Sequence, residues 1–142
     1  MSTEKTKKSS FIQGAITAEF IGASIAKHQS KTTIGAHNIF LGQVRADDIE
    51  GKKVVAIDYS AYEEMAEASL YEIREAAFAK FELSCLHMYH SLGLVKVGEI
   101  CLFVFVSAPR RKVTYEALEF LVEAIKEKAP IFGKEILEDE SY

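Results

Sequence analysis

The sequence predicts an α+β fold, and three observations lead there. Apolar periodicities run in the order β-α-β-β-α-β-β-α, which is neither strict strand–helix alternation nor an all-strand pattern. The run ICLFVFV, Ile100–Val106, is apolar on both faces, as expected of a central strand covered on both sides. Two long segments place apolar residues at three- and four-residue steps, so amphipathic helices should pack on the sheet.

Taken in order, Met1–Ser10 is polar and lysine-rich (Lys5, Lys7, Lys8) and predicts a mobile tail before a single domain over 11–142. Phe11–Thr17 predicts a short strand. Glu19–His28 predicts a brief helix through Phe20, Ile21 and Ile25, with Gln29–Thr33 as a polar connector. Ile34–Val44 predicts a strand in which Gly42 suits a bulge or a close backbone approach. Ala46–Lys53 is a polar turn. Val54–Ser60 alternates as a strand, and Ala61–Phe81 predicts a helix on the stripe Met65, Ala66, Leu70, Ile73, Ala77 and Phe81. Glu63, Glu64 and Glu67 fall at its start, where acidic side chains suit the helix dipole. Cys85–Leu92 predicts a strand, 94–98 a connector, and Glu99–Val106 the central strand. A last helix starts near Val113 or Thr114 with Tyr115, Leu118, Val122, Ile125 and Ala129 inward. It ends at Pro130, which lacks an N–H and disfavours helical geometry before it. Leu137–Tyr142 is an acidic tail.

The chain of 142 residues is long enough for one domain with a proper core, and 49% hydrophobic with 27% charged residues is ordinary for a globular protein. A net charge of -4 argues against a general nucleic-acid binder, so a local basic cluster here suits a small anion. Cys85 and Cys101 lie in apolar runs without CxxC spacing and should be buried hydrophobes. His28, His37, His87 and His90 show no metal-ligand spacing, and no metal is expected. No run is long enough to span a bilayer and no signal-peptide core is visible, so cytoplasm is the expectation.

The anomaly is Arg110-Arg111-Lys112, three cations at a helix start, where the dipole already presents partial positive charge. Free N–H groups and two guanidiniums there would hold a phosphate or carboxylate. Arg45, after the bulge-prone Gly42, could hold phosphate through two parallel N–H bonds. Lys126, in the last helical turn, would become a proton donor or acceptor near neutrality if desolvated. Lys134 follows on a glycine-containing loop. The residues alone support an anion site made of Arg45, Arg110, Arg111 and Lys126.

At these positions the chain resembles the MoaE family, the large catalytic subunit of molybdopterin synthase. The pieces are Gly42-Gln43-Val44-Arg45, Tyr59-Ser60-Ala61-Tyr62 with Met65, His90-Ser91-Leu92-Gly93, Gly98-Glu99, Ser107 with Arg110-Arg111, and Lys126 through Pro130 to Glu135. The resemblance implies a hammerhead-like fold, two main helices on a mixed or antiparallel sheet with a small β subdomain. It implies sulfur transfer from the thiocarboxylated C-terminus of a small ubiquitin-like subunit to cyclic pyranopterin monophosphate, forming the dithiolene of molybdopterin without a cofactor. It further implies a homodimer core with one small subunit at each end. Catalysis would rest on Lys126 and Lys134, and substrate binding on Gln43, Val44, Arg45, Arg110, Arg111, Lys126, Lys134 and Glu135. Three positions depart from the family pattern: Arg110 replaces a histidine, Ser91 an arginine, and Gly133 a second lysine. Lys134, next to Gly133, could substitute by a loop shift. The alternative is a catalytically impaired homologue that only binds the small subunit or a pterin phosphate.

Overall fold

The computed structural model describes residues 9–140. Ten elements follow one another: β1 (Phe11–Gln13), α1 (Ala18–Lys27), β2 (Ala36–Gln43), β3 (Asp48–Ile49), β4 (Lys52–Ala61), α2 (Glu63–Lys80), β5 (Cys85–Lys96), β6 (Ile100–Ala108), α3 (Arg111–Lys128) and β7 (Ile131–Leu137). The sheet has seven strands in the order β2-β6-β5-β4-β3, with β1 added to β5 and β7 added to β4. All pairings are antiparallel except β1 with β5. The α+β expectation holds, and β6 is central, flanked by β2 and β5.

Hydrophobic patterning sets two layers on this sheet. Leu102, Val104 and Val106 of β6 meet Leu70, Ile73 and Ala77 of α2 and Leu121, Val122 and Ile125 of α3. The alternate residues Phe103 and Phe105 face the other way and pack with Ile16, Phe20 and Ile25 of the α1 layer. Side chains alternate across a strand, so one apolar run serves both layers. Thr17 caps α1 by accepting from the Phe20 amide at 3.1 Å.

Several expectations are corrected. The segment 94–98 is not a connector up to its end: β5 runs unbroken to Lys96. Its first part pairs with β6 and its last part with β4, so one strand carries the chain from the helix-covered sheet into the smaller β unit. The changeover falls at Gly93, whose φ of 85° lies where a side chain would be strained. The 46–53 turn contains the two-residue strand β3 and its hairpin, and the chain beyond Pro130 is not a loop but strand β7. Met65 and Tyr115, expected on the apolar stripes, are exposed, at 63% and 56%. In α3 the buried face is instead Thr114, Ala117, Leu121, Val122, Ala124 and Ile125.

The expected tail 1–10 lies outside the described residues up to position 8. Ser10 is tied down: its N–H donates to Glu67 and its carbonyl accepts from the His90 amide. At the other end the acidic segment is bonded too. Glu138 accepts from the Lys53 amide, and Asp139 pairs with Lys52 at 2.5 Å.

Candidate functional site

Two ends of the β2–β6 ladder carry the expected residues, and the register keeps them apart. Ala36 of β2 sits opposite Ala108, while Gln43 sits opposite Ile100. Arg45 follows the second pair and Arg110-Arg111 the first. β2 has eight residues, about 26 Å at roughly 3.3 Å per residue. α3 then runs back along β6 for 18 residues, about 27 Å at roughly 1.5 Å per residue. Lys126 therefore returns to the Arg45 end. The expected single pocket of Arg45, Arg110, Arg111 and Lys126 does not form within one chain; an antiparallel ladder and a return helix forbid it.

At the arginine end, α3 begins two residues earlier than expected, with Arg110 as N-cap and no side-chain cap. Arg111 and Lys112 occupy a first turn that holds no acid. All three are exposed, and among the described residues Arg110 and Arg111 have no ion-pair partner. Gly35 permits this corner, because a Cβ there would lie 2.2 Å from the Pro109 carbonyl oxygen.

At the other end the register shifts between Gly42 and Gln43, the bulge the glycine suggested. Val44 is 2% exposed, and both its backbone groups are bonded, to Glu99 and Gly98. It anchors the exposed Arg45, which grips Asp47 at 2.8 Å. The Asp47 carboxylate holds the Arg45 guanidinium above its usual range.

Lys126 is exposed on the last turn of α3 rather than desolvated. It lies close enough to His90 for its charge to oppose protonation of that ring. Burial is the larger cause, and together they hold the His90 imidazole below its ordinary value, against a raising bond to the Ser91 carbonyl. The Nδ1 atom of His90 lies 2.8 Å from that carbonyl oxygen, so Nδ1 carries the proton and donates. Tyr59 packs edge-on against His90 with ring centroids 4.9 Å apart. Its hydroxyl donates to the Cys101 thiol at 3.4 Å, and burial pushes the phenol well above its usual range.

Tyr59 is also the cross-strand partner of Gly133. A Cβ at 133 would lie 2.8 Å from Ile57 Cγ2 and 3.0 Å from Tyr59 Cε1. The Tyr59 ring thus leans over the glycine and fills the space a side chain would need. Lys134 pairs with Asp58 instead. Neighbours along a strand point to opposite faces, so Lys134 emerges on the face of Phe132 and not on that of Tyr59 and His90. A loop shift has no loop to act on, since 134 lies within β7. Glu135, opposite Ile57, shares the Gly133 face. Gln43 is exposed at the end of β2.

The sequence missed a histidine cluster. His28, capping α1, meets His87 of β5 at 2.9 Å between Nε2 atoms, and His37 of β2 lies 6.3 Å from His28, centroid to centroid. Their separations along the chain hid this, because three distant elements supply them. Among the described residues no group of histidine, cysteine and acidic side chains is arranged to hold a metal. Cys85 and Cys101 are both buried free thiols, as expected.

Comparison with known proteins adds the lineage. Residues 16–128 match the family model described as MoaE protein. The chain is 39% identical over 116 residues to the molybdopterin synthase catalytic subunit of Bacillus subtilis (strain 168), covering 82% of this chain and 73% of that one. Other relatives of that name are longer; this chain spans 56% of the Homo sapiens one. The crystal structure of molybdopterin synthase from Staphylococcus aureus superposes with a TM-score of 0.79 at 31% identity over 94% of each chain. A chain from the complex of subunits 1 and 2 of molybdopterin-converting factor from Helicobacter pylori 26695 shares the fold, with a TM-score of 0.79 at 24% identity over 92% of this chain and 86% of that one.

Proposed function

The chain belongs to the MoaE family, and from that membership we propose that it is the large subunit of a molybdopterin synthase, whose relatives are named as the catalytic subunit. It takes sulfur from the thiocarboxylated C-terminus of a small ubiquitin-like subunit and delivers it to cyclic pyranopterin monophosphate, building the dithiolene. The observation that carries this reading is the family match across 16–128, which takes in Arg45, Arg110, Arg111 and Lys126 together. The site works in the cytoplasm on soluble partners; among the described residues no helix is long and apolar enough to cross a membrane.

The two separated ends then acquire a reason. Phosphate needs the guanidiniums, and the thiocarboxylate needs the amine. One protomer presents these groups about 25 Å apart. In a homodimer, Arg110 and Arg111 of one protomer complete the site around Lys126 of the other. Docking of the carrier's tail over Lys126 removes water from an amine exposed in the free chain, which strengthens its pull on the thiocarboxylate. An exposed aromatic pair, Tyr62 and Phe132 with centroids 5.4 Å apart, lies on the opposite face of the β4–β7 ribbon, beside Lys134.

A second reading has one observation in its favour. Tyr59 and Ile57 fill the space beside Gly133, so the second lysine of the family cannot simply be added back. A chain lacking that amine could bind the carrier or the pterin without turnover. Mixing the protein with thiocarboxylated carrier and the pterin monophosphate separates the two. Mass-spectrometric detection of the dithiolene product supports the enzyme, and binding of carrier without product supports the impaired homologue.

A further inference from the structure

We propose that the lysine-bearing segment of residues 1–8 docks in an acidic groove between α2 and the outer edge of β5. This goes beyond the sulfur-transfer reading and does not depend on it.

The groove has a volume of about 1060 Å³ and is lined by α2 between residues 63 and 74, by residues 87–89 of β5, and by Ser9 and Ser10. Its charge is one-sided: Glu63, Glu64, Glu67 and Glu72 line it against one cation, Arg74. Arg74 is turned toward the sheet, where Nη1 donates to the Leu86 carbonyl at 2.7 Å and the guanidinium lies 5.2 Å from the Phe78 ring centroid. Glu63 and Glu64 suit the helix dipole, but Glu67 and Glu72 lie beyond the first turn, where that benefit has faded. Glu67 also stands three and four residues from Glu64 and Glu63, spacings at which like charges repel on a helix. Among the described residues no ion pair includes any of the four carboxylates.

The path of the chain supplies the occupant. β1 pairs in parallel with β5 from Phe11 opposite His90, and the Ser10 carbonyl accepts from the His90 amide at 2.9 Å. Continuing this ladder would send the Ser10 N–H to the Met88 carbonyl. It goes instead to Glu67 Oε2 at 2.8 Å, and the Ser9 hydroxyl donates to the same oxygen at 3.1 Å. The chain is thus drawn off the sheet and onto α2 at the groove itself. Residues 1–8, outside the described residues, come next toward the N-terminus and carry Lys5, Lys7 and Lys8 against one acid, Glu4.

Reach and chemistry agree. Extended chain covers roughly 3.3 Å per residue, so Lys5 reaches up to about 13 Å from Ser9. Glu63 and Glu72 lie only about 6 and 7.5 Å from Glu67 along the helix axis, at roughly 1.5 Å per residue. Lysine stems can lie on the exposed ring of Tyr71 while their ammoniums meet the carboxylates. An outside basic peptide meets the same groove but must compete with a tethered segment, whose effective concentration is on the order of millimolar.

The test uses the full chain. A carbodiimide joins an amine to a carboxylate in direct contact, and mass spectrometry of the digest reads which pair was joined. At low salt, Lys5, Lys7 or Lys8 should be joined to Glu63, Glu64 or Glu72, and within one chain when light and heavy-nitrogen-labelled proteins are mixed. Raising salt to about 0.5 M should lower the yield roughly 5-fold, because exposed charges are screened. Trypsin should cut after these lysines roughly 5-fold faster in Glu64→Gln/Glu72→Gln than in wild type, the scale of a few exposed ion pairs. Both substituted side chains are exposed, and an unchanged melting temperature checks that the fold is kept. No joined pairs, or pairs scattered over Glu75, Glu123 and Glu138, none of which lines the groove, overturn the proposal. So do pairs that join two chains, a yield indifferent to salt, or equal cleavage of wild type and variant.

Discussion

The two ends of the β2–β6 ladder are built from similar charges and differ in what surrounds them. At the Lys126 end the cation stands beside half-buried polar rings, Tyr59 and His90, that are bonded to a thiol and a carbonyl. At the Arg110 end the cations stand in water at a helix start, with no acid in the first turn. Under the proposed function the first arrangement would move protons, because burial shifts titratable groups toward neutrality. Under the same proposal the second would hold an anion and do little else, because guanidiniums stay charged. A site that needs both must borrow one end from another protomer.

Substitutions sharpen this contrast. Lys126→Ala should lower turnover by 1,000-fold or more, on the order of a lost acid–base group plus a lost thiocarboxylate contact; product formation by mass spectrometry reads it. Arg111→Ala should lower kcat/KM roughly 10–100-fold through KM, the scale of a lost hydrogen bond between charged groups, and added salt should weaken the wild type more than the variant. Equal salt dependence would argue that Arg111 meets no phosphate.

Stability separates the ends from the core between them. Phe105 is 0% exposed and packed among His28, His37 and His87. Phe105→Ala should destabilise by about 3–5 kcal/mol in denaturant titration. The His90 ring gives a smaller, pH-dependent effect. Its folded-state value is depressed, so the unfolded chain binds that proton more readily, and stability falls as pH drops below about 6.5. His90→Phe should flatten that part of the stability–pH curve. Smallest of all, Lys52→Ala should leave the melting temperature unchanged near neutral pH, since its pair with Asp139 is exposed. Asp139 is held below its ordinary value by Lys52, so what little this pair adds is lost only as pH falls into the carboxylate range.

Much of this was legible in the residues. The two-faced run at Ile100–Val106 announced a central strand, and Gly42 announced the bulge before Arg45. The Arg110-Arg111-Lys112 anomaly was real, and α3 starts even closer to it than the expected start near Val113 or Thr114. What stayed hidden depends on pairing partners. Nothing local says that Ile131–Leu137 finds the edge of β4, because a strand with consecutive exposed residues looks like a loop until its neighbour is known. That pairing decides that Lys134 turns away from His90. Likewise the chain order gives no register between β2 and β6, and the register is what sends Arg45 and Arg110 to opposite ends. The Tyr59 ring against His90 is likewise visible only once β4 and β5 are paired.

The most direct measurement is complementation between two impaired chains, read as kcat/KM. Lys126→Ala and Arg111→Ala chains carrying different tags are co-expressed, and the mixed dimer is purified through both tags. In that dimer one site combines an intact Lys126 with an intact Arg111 from the other protomer, and the second site has neither. The account predicts about half the wild-type kcat/KM per dimer, with each parent variant far below it. A mixed dimer no more active than its parents, or full turnover by the Arg111→Ala protein alone, would contradict a site shared between protomers.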